Sequence, residues 1–264
     1  MPTSRLAVIT GASSGIGADL ARLVAARGRP VLAIARRLDR LTALAAEAKA
    51  AGHAPIHPLA LDVSDPAAAA RVAEAAERLG GAGWLVNDAG VGAYGRFERQ
   101  DPARLREIVR TNCEAVVGLT HALLPQLRRA GAESADAAAL VVASVAAFQP
   151  TPYMTVYGAS KAFALSFAEG LAEELRGTGV LSAAFCPGPV ATEFGAVAGT
   201  GDRFKRVPSA LTSVQAATEA LAQLERRQVV RVPTWLYGFT TGAVRFLPRP
   251  LVRRLSGAVQ KEIG

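Results

Sequence analysis

The sequence predicts a doubly wound α/β domain, a parallel sheet covered by helices on both faces. Two observations carry this: apolar runs of strand length alternate with helical segments, and those runs lack the in-and-out alternation of a sheet wetted on one side. A third is a glycine cluster between the first strand and the first helix. With 264 residues, half of them hydrophobic, 20% charged and 25 glycines, the chain has the composition of a single globular domain rather than a disordered tail or a fibre.

The elements follow in order. "RLAVITGA" reads as a strand; in "IGADLARLVAARG", Leu20, Leu23 and Val24 recur at helical spacing and Gly28 closes the helix. "PVLAIAR" and "LDRLTALAAEAKAAG" repeat the pair. "IHPLALDVSD" is a third strand, with Ser64 or Asp65 as N-cap and Pro66 opening the next helix. The strand "GWLVNDAG", a helical region from about Pro102 to Ala130, the strand "AALVVASVA", a helix bearing Tyr157 to Arg176, and the strand "GVLSAAFCPGPV" continue the alternation. Two segments break it. Residues 128–139 are small and polar and read as a surface loop, while glycine-rich 188–210, following a strand end, is expected to form a lid over a ligand.

Charge is unevenly spread. Residues 202–264 hold eleven Lys/Arg against four Asp/Glu, while the first 201 hold nineteen against eighteen. Arginine supplies 26 of the 30 basic residues, a pattern that a compositional bias can also produce, so basic excess alone is a weak argument for nucleic acid; no zinc-finger, helix-turn-helix or basic-aromatic pattern points to it. The two cysteines, Cys113 and Cys186, form no disulfide framework and no metal-ligand spacing, so inert thiols in a reducing compartment are expected. The N-terminal apolar run is five residues long, too short for a signal-peptide core or a membrane span, and a cytoplasmic location is expected.

The candidate chemistry begins at "TGASSGIG". Gly11, Gly15 and Gly17 between strand and helix let backbone approach a pyrophosphate, and the helix start offers unpaired N–H groups. The end of the second strand chooses between dinucleotides, because an acid there binds the ribose 2′-OH of NAD. Here Ala35 stands in that place, followed by Arg36 and Arg37, whose guanidinium groups suit a 2′-phosphate; NADP(H) is expected, with NAD(H) as the alternative.

The candidate reacting group is Tyr157. Tyrosine's ordinary pKa of about 10 makes it a poor acid near neutrality, and Lys161, four residues on and on the same helix face, is expected to lower it. Tyr153 is the internal control: equally aromatic, one turn away, with no lysine at its own +4 position. Ser144, at the carboxyl end of "ALVVAS", can point a hydroxyl at a carbonyl oxygen.

"TGASSGIG" (10–17), "LDV" (61–63), "NDAG" (87–90), Asn112, Ser144, "YGASK" (157–161) and "PGPVAT" (187–192) together resemble the short-chain dehydrogenase/reductase family, in its motif order and from Val8 to about Leu255. The resemblance implies a single Rossmann-like domain and an oxidoreductase. Tyr157 would be the general acid/base, Lys161 would also bind the nicotinamide ribose, Ser144 would orient substrate, and Asn112 would hold helix geometry and a relay water. The phosphate loop, with Ser13, Ser14 and Ile16, would hold the cofactor; Asp62 and Val63 would contact adenine; Asn87, Ala89 and Gly90 would line the nucleotide cleft; Pro187, Val190 and Thr192 would fix the nicotinamide amide. One position departs: the family usually carries a second asparagine where this chain has Asp88.

"LLPQLRR" and the tail look like a DltE-like ketoreductase subgroup. Phe148, Gln149, Met154 and Phe194 are expected near the substrate, giving an apolar lining for a hydrophobic ketone or alcohol. The segment 229–264 mixes apolar clusters with Arg231, Arg245, Arg249, Arg253 and Arg254, which suits a subunit interface, a pocket cap, or contact with anionic lipid or an acidic carrier. The resemblance implies a homodimer or homotetramer. A non-catalytic nucleotide-binding regulator is the rival reading, opposed by the intact Asn112, Ser144, Tyr157 and Lys161; the larger sugar epimerases and dehydratases differ in glycine spacing.

Overall fold

The structure is a computed structural model and describes residues 5–201, 207 and 209–263. Its first half alternates strand and helix: β1 (Leu6–Thr10), α1 (Gly15–Ala26), β2 (Val31–Ala35), α2 (Leu38–Ala50), β3 (Ile56–Ala60), α3 (Ala68–Arg78) and β4 (Ala82–Asn87). The second half runs α4 (Pro102–Val109), α5 (Ala115–Ser134), β5 (Ala137–Val142), α6 (Thr155–Glu174) and β6 (Val180–Phe185). Then come β7 (Val190–Ala191), α7 (Phe194–Val197), β8 (Leu211–Thr212), α8 (Ser213–Glu225), β9 (Val230–Arg231), α9 (Trp235–Ala243) and α10 (Arg249–Ile263). Seven strands form one sheet in the order β3-β2-β1-β4-β5-β6-β9, every neighbouring pair parallel, and β7 pairs with β8 apart from it.

Strand order reverses between β1 and β4, so a crevice opens beyond their carboxyl ends. The apolar strands are buried on both sides, as predicted. In β1, Ala7 and Ile9 join a core with α1, α2 and α8, while Leu6 and Val8 join another with α3 and α5. In this sheet the two edge strands, β3 and β9, are partly exposed, and β3 carries Pro58 where a missing donor is tolerated.

Three expectations are corrected. The helix expected from Pro66 starts at Ala68: the residues before it form a tight turn in which Asp65 accepts from the Ala67 N–H with its carboxylate and from the Ala68 N–H with its carbonyl. The helical region from Pro102 is interrupted by a π-helical turn, Arg110–Glu114. Residues 128–139 are no long loop: α5 runs to Ser134, Ala135 turns the chain at φ 51°, and β5 starts at Ala137. Gly131, inside that expected loop, is a buried helical glycine whose Cβ would stand 2.8 Å from the Thr178 carbonyl oxygen.

Candidate active site

A cleft of about 540 Å³ lies along the carboxyl ends of the central strands, lined from Gly11 after β1 through Ala35, Asp62, Gly90 and Ser144 to Pro187 after β6. Its glycine loop is held from behind. Gly11 (φ 71°) and Gly17 press on the end of β4, where a Cβ on Gly17 would stand 2.6 Å from an Asp88 carboxylate oxygen. Ser14 is the N-cap of α1 but makes no capping bond with its side chain, and no acid sits in the first turn. That helix start retains its preference for an anion, and Ser13, Ser14, Gly15 and Ile16 all face the cleft, which fits a dinucleotide pyrophosphate.

Both arginines of β2's end line the cleft. Arg37 is already engaged, donating to the hydroxyls of Ser13 (3.0 Å) and Ser14 (2.9 Å) and to Glu193 (2.9 Å). Arg36 is more loosely held, 3.4 Å from Glu107 and 3.8 Å from Asp62. Asp62 accepts from the N–H and hydroxyl of Ser64, with Val63 beside it in the lining. Hydrogen bonds from Ser64 and the Arg36 charge bring its pKa below the ordinary value against the opposing effect of burial.

The candidate reacting residues meet at the cleft floor. Ser144 caps a 3₁₀ turn (Val145–Phe148), accepting from the Ala146 N–H at 3.1 Å, and its hydroxyl bonds that of Tyr157. Tyr157 stands in the first turn of α6, its ring 5.2 Å from that of Phe194. Lys161 is buried, donates to the Val142 carbonyl at 2.6 Å, and lies 5.8 Å from the Tyr157 ring centre. Tyr153 faces elsewhere: it stacks on Tyr94 and lines a separate surface cavity.

The tyrosine is not acidified as its spacing with Lys161 suggests. Burial pushes its pKa up to about 12, opposed by the Ser144 hydrogen bond. The lysine is itself lowered to about 8 by burial, although Asp88 nearby favours its charge. Asp88 answers the question left by the missing asparagine. It is half-buried, accepts from the Gly17 N–H, feels Lys161, and is raised to about 7 because burial outweighs both.

Other expected site residues stand behind the cleft. Asn112 sits within the π-turn; its amide accepts from the Val91 N–H and donates to the Val91 carbonyl, each at 3.0 Å, and to Ser160 at 2.9 Å. Ser160 in turn donates to the Tyr157 carbonyl, so Asn112 braces both the β4 loop and the tyrosine's helix. Asn87, expected in the lining, is instead buried against Thr120 (3.3 Å), tying β4 to α5. Phe148, expected at the substrate, packs against the core beside α6, because the 3₁₀ turn rotates it away from the cleft. Ala89, Gly90, Gln149, Met154, Val190, Thr192 and Phe194 do line it.

Residues 5–202 match the family model described as short chain dehydrogenase. The chain belongs to the short chain dehydrogenase family. A short chain dehydrogenase of Pseudocercospora fijiensis is 41% identical over 73% of this chain, which spans 62% of that relative. A sulfoacetaldehyde reductase of Chromohalobacter salexigens is 39% identical over 74% of this chain and 76% of its own. Among solved structures, a Sphingobium yanoikuyae short-chain dehydrogenase in complex with NADPH superposes with TM-score 0.80 at 30% identity, covering 93% of this chain and 97% of that one. One from Burkholderia phymatum in complex with NAD gives 0.81 at 26% identity, covering 90% and 92%.

In this short chain dehydrogenase two further residues shape the site. Thr10, the first residue of the glycine motif, accepts through its hydroxyl from the Asp88 and Ala89 N–H groups at 3.0 Å and so seats the β4 loop against β1. Glu193 had no local signal at all. It bridges Arg37 and Arg40 from 153 or more residues away, and both arginines pull its pKa down.

Proposed function

We propose that the protein is an NADP(H)-dependent oxidoreductase interconverting a carbonyl and a secondary alcohol on an apolar substrate, working chiefly as a reductase. The observation that carries the reading is that Ser144, Tyr157 and Lys161 line one cleft with the start of α1, where Ser14 makes no side-chain capping bond, and with Arg36.

The dinucleotide, when bound, supplies or accepts the hydride at the substrate carbon. Tyr157 then passes its phenolic proton to the substrate oxygen, and Ser144 both orients that oxygen and stabilises the phenolate left behind. A phenol that keeps its proton at neutral pH is suited to reduction. Lys161 sets a positive charge on the cofactor side of the tyrosine; Asn112 acts through Val91 and Ser160 as a positioning residue. Gly11 to Gly17 would hold the pyrophosphate, Asp62 and Val63 the adenine, Pro187, Val190 and Thr192 the amide.

NADP(H) is preferred over NAD(H) in this reading because β2 ends in Ala35 rather than an acid, with Arg36 free enough of tight partners to turn onto a 2′-phosphate. An apolar substrate is supported by Val145, Met154, Phe194 and Val197 in the lining, and residues 188–201 form its cover; the expected lid's remaining positions 202–206 and 208 lie outside the described residues. A single domain, a homo-oligomer, a DltE-like subgroup and a cytoplasmic location belong to the same proposal; among the described residues no helix is long and apolar enough to cross a membrane.

The test is nicotinamide absorbance with NADPH and NADH over a panel of ketones and alcohols. Arg36→Ala is expected to weaken NADPH roughly tenfold to hundredfold, the worth of ~1.5–3 kcal/mol for hydrogen bonds to a charged group, and to leave NADH unchanged. Equal effects on the two cofactors would contradict the assignment.

A further inference from the structure

The last two helices leave a large apolar surface uncovered. Trp235 is 84% exposed and Phe239 71%, one turn apart on α9; Phe246, in the 3₁₀ turn that follows, is 89% exposed. On α10, Val252 is buried and Ser256 bonds the Pro150 carbonyl, which fixes the inner side; Leu251 and Leu255 then recur one turn apart on an exposed side. Scattered apolar residues need no explanation, but three bulky rings this exposed in so short a stretch do.

Arg245, Arg249, Arg253 and Arg254 are exposed among these side chains, and no acid occurs between Glu225 and Glu262. Both helices also border the substrate cleft, Tyr237 from α9 and Val259 and Gln260 from α10. Val259 is at once in the cleft lining and more than half exposed.

We infer that α9, its 3₁₀ turn and α10 dock in the plane of an anionic lipid surface, with aromatic rings entering the acyl boundary and arginines meeting the headgroups. Charge decides between occupants. A second copy pairing this face with itself would set arginines against arginines with no acid between Glu225 and Glu262 to answer them, whereas anionic headgroups complement them. The cleft mouth would then open at the lipid, where an apolar substrate concentrates; that corollary rests on the oxidoreductase reading, the docking does not.

The chain contains its own probe. Of its two tryptophans, Trp84 is buried under the Arg29 guanidinium, 4.0 Å from the ring centre, so a change in emission on docking reports Trp235. The full chain is mixed with phosphatidylcholine vesicles with and without phosphatidylglycerol, and sedimentation and tryptophan emission are read. Expected are co-sedimentation and a blue shift only with phosphatidylglycerol, weakened by salt. Phe239→Ser/Phe246→Ser and Arg253→Glu/Arg254→Glu should each reduce partitioning at least about tenfold, with turnover of a small water-soluble ketone and the melting temperature retained. Absence of binding, or binding indifferent to phosphatidylglycerol and salt, overturns the inference. So does a light-scattering mass showing an oligomer that Phe246→Ser dissolves while vesicles are ignored. Docking without any turnover would remove the oxidoreductase reading and leave the surface standing.

Discussion

Tyr157 and Tyr153 are separated by one turn of sequence and by the whole difference between two cavities. Tyr153→Phe is therefore expected to leave turnover within about twofold of the parent, against a loss of ~10²–10⁴ for a removed general acid. Asp88 carries a pH prediction. Its pKa in the folded protein, about 7, stands above the ordinary 3.8, so the native state keeps a proton that the unfolded chain has lost. Stability falls on that account as pH rises from about 4 to 7, by up to ~1.4 kcal/mol per unit. Asp88→Asn removes the slope: its melting temperature should exceed the parent's at pH 8 and match it near pH 4, and an equal gain at both would rule out the carboxylate as the cause. The sequence marked both residues, one by its motif and one by its departure from it. It could not show that burial, rather than Lys161, governs the tyrosine, because burial depends on Phe194 and Ser144 arriving from distant segments.

Strands and helices of ordinary period were legible because burial on both faces leaves an unbroken apolar run. The misread stretches were those where a residue's local habit and its packing role differ. Gly131 falls in the stretch expected as a loop and is instead the point where α5 meets the Thr178–Gly179 backbone. Gly131→Ala should cost about 1–3 kcal/mol of stability, the usual range for overpacking, in spite of alanine's better helix propensity; a rise in melting temperature would show that the two backbones part freely. The π-turn at Arg110–Glu114 has no composition signal. It adds a residue to the turn and keeps Asn112 buried between Val91 and Ser160, which is where the brace is needed.

Across the whole molecule, alternation of strand and helix was enough to anticipate the doubly wound parallel sheet; the reversal of its strand order then opens a cleft that gathers residues from positions 11 to 260. The excess charge of the last quarter was equally plain, but its role depends on which apolar side chains remain uncovered, which no spacing rule supplies. On the short chain dehydrogenase scaffold this chain sets an acid, Asp88, beside the phosphate loop and leaves an exposed aromatic face at the mouth of the cleft. The central claim is that the Tyr157 hydroxyl delivers the proton to the substrate oxygen. Its most direct test is NADPH oxidation by one accepted ketone, compared between the parent and Tyr157→Phe at saturating cofactor. The account predicts a rate lower by at least about a hundredfold with NADPH affinity within a few-fold of the parent; turnover that survives the loss of that one oxygen would contradict it.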